Sequence, residues 1–222
     1  MVSCLMLYFG VAIPLLAAPS HPSGPEGRTF NDRTIRIQGK EQELVVTFAY
    51  PKPDEIIDWA SNGRYVASNY SAVLSLRYDY KGYFWQGVFG RVGFDMIVVK
   101  PRPPDAVPWK DLNSLMMALR AHWIARNEAT KNERSETRQL WMEPSLSQLN
   151  GTPCVQEHVT DGNDPNGELH YYFLIDEDHA LDIVVKMVDN STRPGLPKSD
   201  WRPRAEVFAA KLLATVRVRY MP

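Results

Sequence analysis

The chain has 222 residues, with 25 Lys and Arg against 26 Asp and Glu, a formal net charge of −1, and 44% hydrophobic content. That near-neutral balance argues against general nucleic-acid binding, which needs clustered Lys and Arg to displace counterions. The composition is that of a soluble globular protein, long enough to fold around one core without a disulfide or metal scaffold.

Residues 1–18 read as a cleavable signal peptide. The apolar run from Cys4 to Ala18 contains Pro14 and is short for a membrane span, which needs about 20 residues. Leu16-Ala17-Ala18 offers small residues for cleavage. No Lys or Arg precedes the run, which a misassigned start codon or an atypical leader would explain; the alternative is a buried N-terminal helix of a cytosolic protein. Residues 19–29 begin with the Pro- and Gly-rich stretch Pro19–Pro25 and read as a flexible linker. Residues 30–222 follow as a single domain. Beyond the leader Cys154 is the only cysteine, so no internal disulfide forms. It reads as a buried structural thiol, with a nucleophile as the alternative.

Thr34–Gln38 and Glu43–Tyr50 read as strands joined at Gly39-Lys40. Asp54–Ala60 reads as a short helix capped by Asp54 and ended at Asn62-Gly63. Val73–Tyr80 alternates: Leu74, Leu76, Tyr78 and Tyr80 share one face, and Val73, Ser75, Arg77 and Asp79 the other. Tyr83–Val88 and Val92–Lys100 follow as strands separated by Gly90-Arg91, and Pro101–Pro104 closes that section. A long helix is expected over about 108–126, opened by Pro108, with Leu112, Leu115, Met116, Leu119 and Trp123 facing a sheet. Residues 126–138 mix charges of both signs and read as a solvated helix end and loop.

Gln139–Met142, Pro153–Thr160, Glu168–Ile175 and Ala180–Val188 are candidate strands, with turns over Asp161–Gly167 and Asp176–His179. A second helix over about 201–213 starts after Asp200 as N-cap, with Ala205, Phe208, Ala209 and Leu212 on one face. Val216, Val218 and Tyr220 mark a last strand. Runs of strands and helices, in place of strict alternation, predict an α+β fold with both helices packed on a mostly antiparallel sheet.

Chemistry-bearing patterns are few. The Asp161–Glu168 loop fails the calcium-loop spacing, with Pro165 and Asn166 where a ligand and Gly belong, and reads as a polar hairpin loop. Of His122, His158, His170 and His179, the best metal pair is His158 with His170, facing each other across a hairpin, but no third ligand is evident. Cys154 and His158 lie about 13 Å apart on one strand, too far for a nucleophile and its base. Glu177 and Asp178 sit in a turn and read as solvated charge. No phosphate-loop or dinucleotide fingerprint is present. Asn69, Asn150 and Asn190 open glycosylation sequons, relevant only in a eukaryotic secretory route. The six Trp residues are scattered; any left exposed would favour a protein interface.

The long helix is followed by Asn150–Glu157, Glu168–Ile175, Ala180–Met187 and a helix running into Leu212–Val218. Over roughly residues 35–220 this order of elements resembles the small exported α+β domains of the PsbP-like class. It is also similar in layout to the periplasmic immunity proteins of bacterial type VI secretion effectors. The resemblance implies a non-catalytic domain that acts by binding and transfers no residue roles. The expectation is therefore a periplasmic binding protein, an immunity or inhibitor protein for a toxic effector enzyme, with no cofactor, no metal, no nucleic-acid partner and no membrane span once the leader is removed. The alternatives are an envelope accessory factor that binds a small molecule or lipid, and an unrecognised hydrolase using His158, His170 or Cys154.

Overall fold

The computed structural model describes residues 24–67, 71–81, 87–100, 107–129, 139–161, 164–189 and 201–222. The expected leader at 1–18, residues 19–23 of the expected linker, Pro101–Pro104, the 130–138 loop and the Asp200 cap lie outside the described residues. The rest of that linker is tied to the body. Arg28 donates to Lys52 O at 2.7 Å and pairs with Asp54, and Arg204 reaches Glu26 at 2.9 Å.

In chain order the described elements are β1 (Phe30–Gln38), β2 (Glu43–Pro51), β3 (Glu55–Asp58), β4 (Arg64–Val66), β5 (Ser71–Lys81), β6 (Val88–Val99), α1 (Leu112–Ala129), β7 (Gln139–Trp141), β8 (Ser145–Leu149), β9 (Thr152–Asp161), β10 (Asp164–Leu174), β11 (Ala180–Asp189), α2 (Trp201–Thr215) and β12 (Arg217–Met221). The fold is α+β, built on two sheets. The small one runs β12-β2-β1-β4, and the large one β3-β5-β6-β11-β10-β9-β7, with β8 also on β9. Among the described residues every pairing is antiparallel except β1 with β4. None of the helices there is long and apolar enough to cross a membrane.

The alternation read from the sequence decides which face is inward. Leu74, Leu76, Tyr78 and Tyr80 of β5 are all fully buried. They join Val92, Phe94, Met96 and Val98 of β6, and Leu181, Ile183 and Val185 of β11. Against this face stand Ile35 and Ile37 of β1, Leu44, Val46 and Phe48 of β2, and α2. Phe48 stacks on Phe94 at 5.6 Å, and Phe208 meets Tyr78 edge-on at 4.8 Å. Helix α2 buries Trp201, Ala205, Phe208, Ala209 and Leu212, as its periodicity predicts. Pro203 is tolerated in its first turn, where the backbone N–H has no helical partner to lose.

Four expectations need correction. Asp54–Ala60 is not a helix: Ile56 and Ile57 pair as β3 with β5, and a 3-10 turn follows at Ser61–Gly63. The Asp54 carboxylate that would have capped it instead takes Asp79 N at 3.0 Å and Lys81 at 2.7 Å. The Gly90-Arg91 break does not occur either, and β6 runs straight through it. Gly90 is there because a Cβ would collide with the Trp201 indole. Helix α1 begins at Leu112 and not at Pro108, because Asp111 and Ser114 cap each other: Ser114 N to Asp111 Oδ1 at 2.7 Å, Asp111 N to Ser114 Oγ at 3.0 Å. Only Leu115 of α1 is fully buried. Leu112, Met116 and Leu119 pack half-covered against Val155, Tyr172 and Ala180 on the outer face of the large sheet. Finally, the Asp161–Gly167 turn is shorter than expected, since β10 already starts at Asp164. A register shift between Asp164 and Glu168, with Gly167 at φ +26°, absorbs the irregularity.

Candidate functional site

The outer face of the large sheet holds the densest set of titratable groups. Strand alternation places Ser75, Arg77 and Asp79 of β5 there, beside Asp95 of β6 and Asp182 and Lys186 of β11. His170 and Tyr172 of β10 and Glu157 of β9 continue the row. Asp95, Glu157, His170 and Asp182 are all buried.

On the central strands, Arg77 grips both oxygens of Asp95, the second at 3.2 Å, and Lys186 reaches the same carboxylate at 3.1 Å. Gly93 makes this possible, because a Cβ there would press on the Lys186 stem and the Arg77 guanidinium. Burial opposes the charge on Asp95, but Arg77, Ser75 and Lys186 outweigh it and hold its carboxyl below the ordinary value. Arg91 Nε meets Asp79 at 2.7 Å in the same manner.

Towards α1, His170 Nδ1 lies 3.0 Å from Asp182 Oδ2, and its Nε2 lies 3.4 Å from Glu168 Oε2. Burial opposes the imidazolium, yet the Asp182 and Glu168 carboxylates overcome it and lift His170 to about 10. Tyr172 donates to Glu157 Oε2 at 3.1 Å, while Glu157 Oε1 is buried without a hydrogen-bond partner. Burial pushes the Glu157 carboxyl up, against the pull of His170, Tyr172 and Arg126 of α1.

These groups lock one another together across the strands. A general base must be unprotonated near neutral pH and within reach of a substrate proton. His170 is protonated there, and both of its nitrogens face carboxylates. Two shallow depressions, about 450 and 440 Å³, flank Leu146 in the corner between α1 and β8, and none of His170, Asp182 or Glu157 lines them.

The residues singled out in the sequence scatter. His158 and His170 do not face each other: the register sets His158 opposite Leu169 and His170 opposite Glu157, so the two rings leave opposite faces of the sheet. Among the described residues no three His, Cys, Asp or Glu side chains are placed to hold a metal ion. Cys154 is fully buried on the core side, and burial pushes its thiol up to about 11, far from nucleophilic reactivity. His179 is buried in the β10–β11 turn, 2.9 Å from Asp176. Glu177 and Asp178 both bind Lys40, tying that turn to the β1–β2 turn. Asn150 sits at φ 51°, and its amide nitrogen donates to Leu213 O and Val216 O at 2.8 Å each, so it closes the end of α2. Asn69 and Asn190 lie outside the described residues.

Sequence reading missed Glu157, Tyr172, Asp182, Asp95 and Lys186. The available signal was an acid inside an apolar strand, as in Ala180-Leu-Asp-Ile-Val-Val185. Among the tryptophans, Trp109 and Trp201 are buried, and Trp59 is 47% exposed, next to Ile56 at 47% and Ile57 at 43%. No family model matches the chain, and no curated protein or solved structure matches it either.

Proposed function

We propose that the chain is an exported, non-catalytic binding protein of the periplasm, an immunity or inhibitor protein that occupies a toxic effector enzyme. The observation that carries this reading is Ile56, Ile57 and Trp59, three large apolar side chains left exposed on and beside an edge strand. Large apolar and aromatic anchors of this kind carry the energy of protein interfaces. The buried His170 and Asp182 pair with each other, and Asp95 pairs with Arg77 and Lys186, none of them in a cleft, which supports a binding role over chemistry. The apolar run of residues 1–18 supports export, and the order of elements resembles that of periplasmic immunity proteins.

The test is expression of the whole chain in a bacterial host. Intact mass should place the mature N-terminus near Pro19, and the purified protein should capture an envelope or effector enzyme and abolish its activity at equal stoichiometry. An intact Met1 on cytosolic protein, or an effector whose activity is untouched by the bound chain, overturns the reading. A small-molecule or lipid site has one observation in its favour, the two depressions beside Leu146. Native mass spectrometry of protein purified from envelope would reveal such a ligand as an added mass.

A further inference from the structure

Among the described residues β3 pairs on one side only. Its register with β5 is Glu55 opposite Arg77, Ile56 opposite Leu76, Ile57 opposite Ser75 and Asp58 opposite Leu74. No described strand lies on its other side, and all four of its residues are exposed. Trp59 N donates to Val73 O at 3.1 Å, which sets the alternation of the ladder. Glu55 and Ile57 turn their main-chain groups towards β5, and Ile56 and Asp58 turn theirs to the open edge. Natural edges are guarded by shortness, charged side chains, Pro or a bulge. The Glu55–Asp58 edge is short and ends in two acids, but it carries no Lys or Pro and leaves two isoleucines exposed between those acids.

Resting on the binding-protein reading, we propose that β3 is a strand-addition site for an extended segment of the partner protein with the pattern basic–apolar–apolar–basic. Side-chain faces define that pattern. Ile56 and Asp58 share the face of Leu76 and Leu74, where Arg33 of β1 meets Asp58. Glu55 and Ile57 share the other face; the Glu55 side chain is 54% exposed, with Arg91 at 3.7 Å. A strand laid along this edge satisfies every position when it sets basic residues opposite Glu55 and Asp58 and apolar ones opposite Ile56 and Ile57.

A second copy of the chain does not fit. A twofold axis makes identical edges antiparallel, and only outward-turned residues pair directly, so Ile56 and Asp58 must face Ile56 or Asp58 of the copy. Centring on Ile56 sets Glu55 against Ile57. Centring on Ile57 sets Ile56 against Asp58 and Glu55 against Trp59. Centring on Asp58 sets that residue against itself. Each register opposes acid to acid or acid to apolar, and like charges directly opposite destabilise a sheet.

The probe is the capped peptide acetyl-Thr-Lys-Val-Val-Lys-Thr-amide, titrated into the whole chain and followed by backbone amide NMR. The expected result is saturable shifts at Ile56, Ile57 and Asp58, about tenfold weaker binding of the Glu-for-Lys peptide, and loss of binding when alternate peptide amides are N-methylated. Ile57→Lys, a change at an exposed position, should leave the thermal midpoint unchanged and remove peptide binding. Equal binding of the two charge types, shifts confined to other strands, or a wild-type dimer that Ile57→Lys dissolves would each overturn the proposal. With a captured effector enzyme in hand, undiminished capture by Ile57→Lys removes the β3 site and leaves the binding reading standing. A wild-type chain that captures no effector removes the binding reading first.

Discussion

The His170 lock makes the protein's stability fall with rising pH in a defined window. The imidazole is lifted from its ordinary 6.5 to about 10 in the folded chain. A group with a raised folded pKa contributes its full stabilisation below the unfolded value and loses it as pH rises through the folded one. The native state therefore binds more protons than the unfolded state between about 6.5 and 10, and unfolding free energy drops by about 1.4 kcal/mol per pH unit there. From pH 7 to 9 the expected fall is about 3 kcal/mol. At the upper end of that range the Cys154 thiol, whose ordinary value is 9.0 and which burial pushes up to about 11, begins to add to the fall in the same direction. Urea unfolding followed by tryptophan fluorescence at half-unit pH steps measures it. His170→Gln should flatten the slope across the same range. It should also lose about 3–5 kcal/mol at pH 7, because the buried Asp182 is left without its cation. A wild-type unfolding free energy that varies by less than about 1 kcal/mol from pH 7 to 9, or an undiminished slope in His170→Gln, would refute the reasoning.

Three further outcomes are expected. Gly90→Ala drives a methyl into the Trp201 indole near the start of β6, and should lower stability by about 1–3 kcal/mol in thermal or urea unfolding. Asn150→Ala removes two hydrogen bonds at the end of α2 and forces Ala into a left-handed conformation, a loss of about 2 kcal/mol; Asn150→Gly, which accepts that backbone, should lose less. Cys154 should react with a thiol reagent at pH 8 only at the rate of unfolding, and at once in denaturant, since its thiol is buried and held at about 11.

The parts of the fold legible in the sequence were those whose periodicity is enforced by one large buried face. Leu74, Leu76, Tyr78 and Tyr80 are all fully buried, and Ala205, Phe208, Ala209 and Leu212 line α2 inward, as their spacing implies. The errors came where a residue serves a distant partner. Gly90 looks like a turn signal until Trp201 is known to lie over it, some hundred residues further along the chain. Asp54 looks like a helix cap until Lys81, Arg28 and the Asp79 amide are known to surround it. Short edge strands such as β4 and β8 bury little, so they leave no alternation to read.

The candidate site was half legible for a sharper reason. The alternation of Ser75, Arg77 and Asp79 announces a polar outer face, and Asp182 stands out as an acid in an apolar strand. Which groups meet, however, depends on register, and one residue decides it. A shift by one places His158 opposite His170 and suggests a metal pair; the actual ladder puts Glu157 there. The directly opposite pairs are then His170 with Glu157 and Tyr172 with Asp182, yet neither pair makes the hydrogen bond. The two rings stack instead, 5.8 Å apart and within 8° of parallel. Each reaches a diagonal partner across the neighbouring strand: His170 takes Asp182, and Tyr172 takes Glu157. Burial pushes both the Asp182 and the Glu157 carboxyls up, and the crossed pairing sets the His170 cation against the first and the Tyr172 phenol against the second. A direct pairing would leave the buried Asp182 with only a neutral donor. The register and the ring stack thus select the arrangement in which the buried charges cancel, and that selection is what the pH dependence of stability reports.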